Sequence, residues 1–223
     1  MGKKKVSNNK SKEWSKESIM ELYLDQVLTD GRIPVSVYAF AKSNDQIEQD
    51  FYRQYNSFDH LENDIWRSWL LSTIDVLEGD DQYVEYTVRE KILAFYFTWM
   101  QHLLKHRSYV MLRFSLVGQR DMPSFLRSLK VVFENFMHEL MIEGKDTQEV
   151  ASRPYDRHYP KGFWAQFLMI HRFWIKDLSP DFEDTDAFIE KSVQFGSDVI
   201  ARGPIDSFQD LAKFIFHHKD FIK

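Results

Sequence analysis

Two kinds of side chain in this 223-residue chain could carry chemistry: aromatic rings interleaved with imidazoles, and carboxylates. The rings and imidazoles collect from residue 99 onward, at Trp99, His102, His106, Phe114, Phe133, Met137, Trp164, Phe167, His171, Phe173 and Trp174, with Arg172 among them. Rings with a few polar groups suit an apolar or aromatic ligand. They suit equally a packed core whose His and Trp tips are satisfied locally, with Met filling gaps. His102 and His106 are four apart, the spacing of a metal pair on one helix face, but nothing nearby completes a ligand set. No metal is therefore expected. With no cysteine, disulfides, thiolate sites and cysteine nucleophiles are excluded. There is no phosphate loop, nucleophile elbow or paired-carboxylate motif, so the chain reads as a non-enzyme that needs no cofactor. The carboxylates of interest are Asp45, Glu48 and Asp50. They read either as an acidic first turn favoured by the helix dipole, or as a charge pattern that decides what the segment can bind.

The elements that position these residues are helical nearly throughout. Ile19, Leu22, Tyr23, Val27 and Leu28 recur at helical spacing and stop at Gly31. Pro34 predicts a short helix over 35–42, and Asp45 with Glu48 a capping pair for a helix to about Tyr55. Asn56 or Ser57 caps a long helix through Leu61, Trp66, Leu70 and Leu77 to Gly79. Further helices are expected over 83–106, 109–117, 123–143, 163–178, 185–200 and 205–217, with a loop over 144–162. No alternating strand pattern and no repeat appears. The fold class is all-α, with about ten helices. Residues 1–12, with Lys3, Lys4, Lys5, Lys10 and Lys12, read as a disordered basic tail. The segment from Arg153 to Lys161 is basic and laced with aromatics; it suits an anionic ligand, a partner or a solvated loop. The last expected helix is amphipathic, suited to a lipid surface or to closing a bundle.

Composition sets limits. A formal net charge of −5 does not describe a protein built mainly to hold nucleic acid. No apolar run is long enough to span a membrane and no secretory signal stands at Met1, so a cytoplasmic location is expected.

The segment from Phe40 to Leu61 carries a resemblance. TetR-type (tetracycline-repressor-type) regulators commonly read I-A-x-x-A-G-V-S-x-G-T-L-Y-x-H-F-x-S-K-x-x-L across their helix-turn-helix. Here Phe40-Ala41 stands for I-A, Phe51-Tyr52 for L-Y, Tyr55 for F, Ser57 for S and Leu61 for the final L. The detailed likeness covers roughly residues 18–66, and beyond it the chain resembles the family in helix number and length. The resemblance implies an N-terminal three-helix head over 13–60 and a helical ligand-binding and dimerisation domain over 61–223. It implies a homodimer. It also implies DNA contacts from Lys42, Gln46, Gln49, Tyr52 and Arg53, and a small apolar ligand or lipid held by Trp99, His102, Phe133, Met137, Phe167, His171 and Trp174.

The departures matter as much. Asp45 replaces the turn glycine. Positions that usually face phosphates and bases hold Ile47, Glu48, Gln49 and Asp50. Over residues 13–56 four basic side chains meet eight acidic ones, a net charge of −4, which the tail lysines bring to about +1. Two functions follow from this: a DNA-binding regulator that answers to a ligand, or a member of the same fold that has lost operator binding and acts as a hydrophobe-binding accessory or adaptor protein.

Overall fold

The computed structural model describes residues 14–114, 123–154 and 156–201. Among them there are nine α-helices and no strand: α1 (Lys16–Asp30), α2 (Val37–Ser43), α3 (Glu48–Tyr52), α4 (Phe58–Glu78), α5 (Val88–Leu104), α6 (Arg107–Phe114), α7 (Ser124–Asp146), α8 (Tyr159–Lys176) and α9 (Glu183–Ala201). The all-α class read from the periodicity holds. The tail at 1–12 and the expected helix at 205–217 lie outside the described residues.

The described residues divide into two compact units, 14–66 with 107–114 and 123–126, and 67–106 with 127–154 and 156–201. The first is built on aromatic rings. Trp14 stacks on Phe40 at 5.4 Å, Tyr23 stacks on Phe58 at 5.4 Å, and Phe51 meets Phe40 and Phe58 edge-on at 6.0 and 5.5 Å. The four residues read as framework from sequence, Ala41, Phe51, Tyr55 and Leu61, are all buried. Such ring pairs add directional preference to burial, which helps fix the crossing of short helices that could not hold together alone.

Local signals explain the helix ends, and several differ from expectation. Gly31 ends α1 with φ 64°, the left-handed cap that glycine adopts without strain. The helix expected behind Pro34 starts instead at Val37, because Ser36 caps it by accepting from the Ala39 N–H at 3.1 Å. The expected Asp45–Glu48 capping pair does not form. Ile47 occupies the cap position of α3 without a side-chain bond, and the helix stops at Tyr52 rather than Tyr55. Ser57 does cap α4, accepting from the His60 N–H at 3.1 Å. α5 begins at Val88, behind a reciprocal capping box between Thr87 and Glu90, while Tyr83–Glu85 form a separate 3-10 turn.

In the second unit the expected loop over 144–162 is shorter than its composition suggests. α7 runs to Asp146 and α8 starts at Tyr159. Gly144 lies within α7 at a point where nothing larger fits: a Cβ there would lie 2.5 Å from the Val150 side chain and 2.9 Å from that of Val88. The chain folds back so tightly after α7 that the Val150 N–H bonds the Gly144 carbonyl at 2.8 Å. A glycine that reads as a helix breaker is a packing requirement.

Candidate functional site

The head presents a helix-turn-helix, α2 and α3, joined by Ser43 to Ile47. Its turn is made by Asp45 at φ 54°, so aspartate holds the left-handed conformation for which the usual glycine is selected. The Gln46 N–H closes the turn on the Ala41 carbonyl at 2.9 Å. Aspartate tolerates this region better than most side chains, since its short carboxylate bonds locally.

Of the five residues expected to touch DNA, Lys42, Gln49, Tyr52 and Arg53 are exposed and Gln46 is half-buried. Ile47 is exposed beside them. Arg53, the residue that ends α3, is committed elsewhere, its guanidinium donating to the Asp50 carboxylate of that helix at 2.5 Å. A cation neutralised by its own helix offers less to a phosphate, and Glu48 adds an unfavourable charge in the same turn.

Behind the head helices lies a buried polar hub. The Glu62 carboxylate is 1% exposed. It accepts from the Tyr23 hydroxyl at 3.1 Å, the Tyr109 hydroxyl at 2.8 Å and the Arg113 guanidinium at 2.7 Å. α1, α4 and α6 are thereby joined through one carboxylate. Burial, and then the Glu62 charge, push both tyrosines above their ordinary range, so they stay protonated and donating.

The seven residues expected to hold a ligand all lie in the second unit. Trp99, Phe133, Met137, Phe167, His171 and Trp174 are buried and His102 is half-buried. Four of them form one stack of rings: Phe167 lies 4.0 Å from His171 and 4.6 Å from Phe133, and Trp99 lies 6.1 Å from Phe167. The His171 Nε2 accepts from the Trp99 indole N–H at 2.8 Å, and its Nδ1 lies 2.6 Å from the Phe167 carbonyl. Those partners fix the neutral ring, with the proton on Nδ1. Desolvation lowers its pKa to about 4, against the opposing pull of that carbonyl. His102 and His106 lie 5.8 Å apart, and His106 stacks on Trp69 at 4.3 Å. Desolvation lowers both, with neighbouring Lys105 adding to it. No group of three metal-ligating side chains occurs among the described residues.

Two hollows lie in the same unit. A groove of about 350 Å³ along α8 and α9 is lined by Tyr159, Phe163, Met169, Phe195 and Val199. A smaller cavity of about 180 Å³ is lined by Phe97, Trp174, Asp181, Phe182 and Asp186 among others. Trp174 is thus the one expected ligand residue that lines either space. The basic loop is structural at its start: Arg153 donates to the Val199, Ile200 and Ala201 carbonyls, capping the end of α9. Lys145 pairs with Asp156 at 2.7 Å.

A family model described as the tetracyclin repressor-like C-terminal domain matches residues 91–215, from within α5 onward. The chain belongs to the TetR family. It matches no curated protein and no solved structure. Family membership makes it a regulator-type protein of all-α fold, and no helix among the described residues is long and apolar enough to cross a membrane. Several features of this TetR-family chain escaped the sequence reading. Glu62 was not singled out; its register with Ile65, Trp66 and Trp69, on the buried side of α4, was the available signal. Asp181 and Phe182, at φ 50° and 63°, follow Pro180 in a turn whose two successive left-handed residues no propensity rule anticipates. Strain of this kind costs roughly 1–3 kcal/mol per residue.

Proposed function

We propose that the protein is a homodimeric TetR-type transcriptional regulator that binds DNA through α3 and responds to a small ligand in its helical body. The observation that carries this reading is the helix-turn-helix itself. A left-handed turn at Asp45 and a buried framework at Ala41, Phe51 and Tyr55 leave Lys42, Gln49 and Tyr52 facing outward. Pairing is supported by the apolar α8–α9 face, where Phe195 is 71% exposed and Met169 is 51% exposed. Side chains of this size on one groove fit a self-complementary helical interface. Ligand response is supported by the packed rings Trp99, Phe133, Phe167 and His171, with His102, Met137 and Trp174 in the same unit, and by the cavity of about 180 Å³ that Trp174 lines. The domain plan is a basic tail at 1–12, a head at 13–60 and a ligand-binding and dimerisation domain at 61–223, in a cytoplasmic protein. The test is a titration of purified protein against its own upstream DNA at low salt. Binding that weakens steeply with salt is expected, and absence of salt-dependent binding sinks the reading.

The Asp50–Arg53 pair and Glu48 favour a second reading, in which the head has lost operator binding and the protein is a hydrophobe-binding accessory or adaptor. A hydrophobic ligand co-purifying with a protein that retains no DNA, seen by native mass spectrometry, would decide for it.

A further inference from the structure

The α8–α9 groove leaves Met169 and Phe195 in water, and its place along the two helices says what can cover it. α8 and α9 run antiparallel. The Gln166 side chain donates to the Ser192 hydroxyl at 3.1 Å, Phe173 stacks on Phe188 at 4.7 Å, and a Cβ on Gly196 would lie 3.2 Å from the Phe163 ring. The groove lies at the end where Tyr159 begins α8 and where Val199 and Ile200 close α9. The chain therefore leaves α9 at the mouth of its own groove.

The end of α9 is pinned there. Arg153 holds the Val199, Ile200 and Ala201 carbonyls, and the Ala151 N–H donates to the Ile200 carbonyl at 3.2 Å. Arg202, Gly203 and Pro204 come next in the sequence. Proline cannot continue α9 but suits the first turn of a new helix, and glycine permits a reversal before it. So short a connection makes consecutive helices antiparallel neighbours. Beyond it Ile205, Phe208, Leu211, Ala212, Ile215 and Phe216 recur at the spacing of one helix face, with Asp206 and Asp210 off that face. At a helical rise of about 1.5 Å per residue, residues 205–217 reach about 20 Å, and the groove from Ser192 to Ile200 needs about 12 Å. A segment on so short a tether meets the groove at an effective concentration of about 1 mM, far above that of a second copy in dilute solution.

We propose that residues 205–217 occupy the α8–α9 groove of their own chain, as a helix antiparallel to α9, and so cover the face on which two copies pair. The docking goes beyond the proposed function. The control of pairing rests on the homodimer reading and on its use of this face.

The chain has no cysteine, so an engineered pair reads the contact directly. Ala165 is exposed, lines the groove from α8 and precedes Gln166, which bonds Ser192. A hairpin reversing at Gly203 brings Ala212 to the same level. In the full chain, Ala165→Cys with Ala212→Cys should close a disulfide under diamide within one chain, about tenfold or more faster than Ala165→Cys with Asp210→Cys, whose second thiol points away. Non-reducing electrophoresis separates the products. A disulfide-linked dimer would make a second copy the occupant, and equal rates for the two pairs would mean an undocked segment; either overturns the proposal. Phe208→Asp with Ile215→Asp should release the segment and tighten self-association by about fivefold or more, measured by sedimentation equilibrium. Circular dichroism confirms that each variant is folded. Closure within one chain, with self-association unchanged on release, keeps the docking but overturns both the control of pairing and α8–α9 as the pairing face.

Discussion

Two buried polar groups, one in each unit, are held in opposite ways. In the first, Glu62 is a charge taken out of water and held by two hydroxyls and a guanidinium. In the second, His171 is kept neutral and needs only an indole N–H and a carbonyl. A buried charge that loses a partner leaves an uncompensated ion, whereas a neutral ring that loses one leaves a weaker deficit. The head side of the molecule is therefore held by a hub that tolerates little change. His171 sits instead among packed rings, where the loss of one bond leaves a smaller deficit.

The sharpest way to break this comparison is at Glu62. Glu62→Ala should destabilise the protein by roughly 3–5 kcal/mol, because Arg113 is left buried without its carboxylate. Glu62→Gln, which keeps shape and some bonds, should cost less. Urea denaturation measures both, and equal small losses would mean that the hub is dispensable.

The neutral hub predicts a pH dependence instead. The folded pKa of His171, about 4, lies below its ordinary 6.5, so the unfolded chain binds more protons between those values. Stability should be complete above about pH 6.5 and decline as pH falls toward 4, by on the order of 3 kcal/mol. His102 and His106 are lowered too and add in the same direction. Denaturation midpoints across this window test it, with His171→Leu expected to reduce the slope by about one proton. An unchanged slope would remove His171 as its source.

The smallest effect is expected at the turn. Asp45→Gly relieves a left-handed conformation at φ 54° but frees the unfolded chain, so stability should change by less than about 1 kcal/mol. A larger loss would show that the Asp45 side chain, and not only its backbone, holds the turn.

Much of the fold was legible because helical periodicity and caps are local. Gly31 and a cap at Asn56 or Ser57 were read from local signals, and the framework at Ala41, Phe51, Tyr55 and Leu61 from the resemblance to the family pattern. The misreadings have one physical source, competition between a local signal and a contact distant in sequence. Pro34 looked like a helix start, but Ser36 made the cap. Gly144 looked like a loop, but Val88 and Val150 required it in a helix. The site was less legible. Trp99, Phe133, Phe167 and His171 were correctly grouped as rings in one unit, yet nothing local shows which rings border empty space. The cavity at Trp174 depends on a strained turn at Asp181 and Phe182 whose conformation is set by its surroundings.

The central claim is that α3, for all its acidity, still serves a DNA-binding regulator. It is tested most directly by selection from a random DNA pool at low salt, using the purified full chain and a variant carrying Glu48→Lys and Asp50→Lys. The account predicts that the wild-type chain enriches a two-fold symmetric sequence with affinity that falls as salt rises, and that the variant binds more tightly with a steeper salt dependence. Failure of the wild-type chain to enrich any sequence, while the variant binds DNA only without sequence preference, would contradict it.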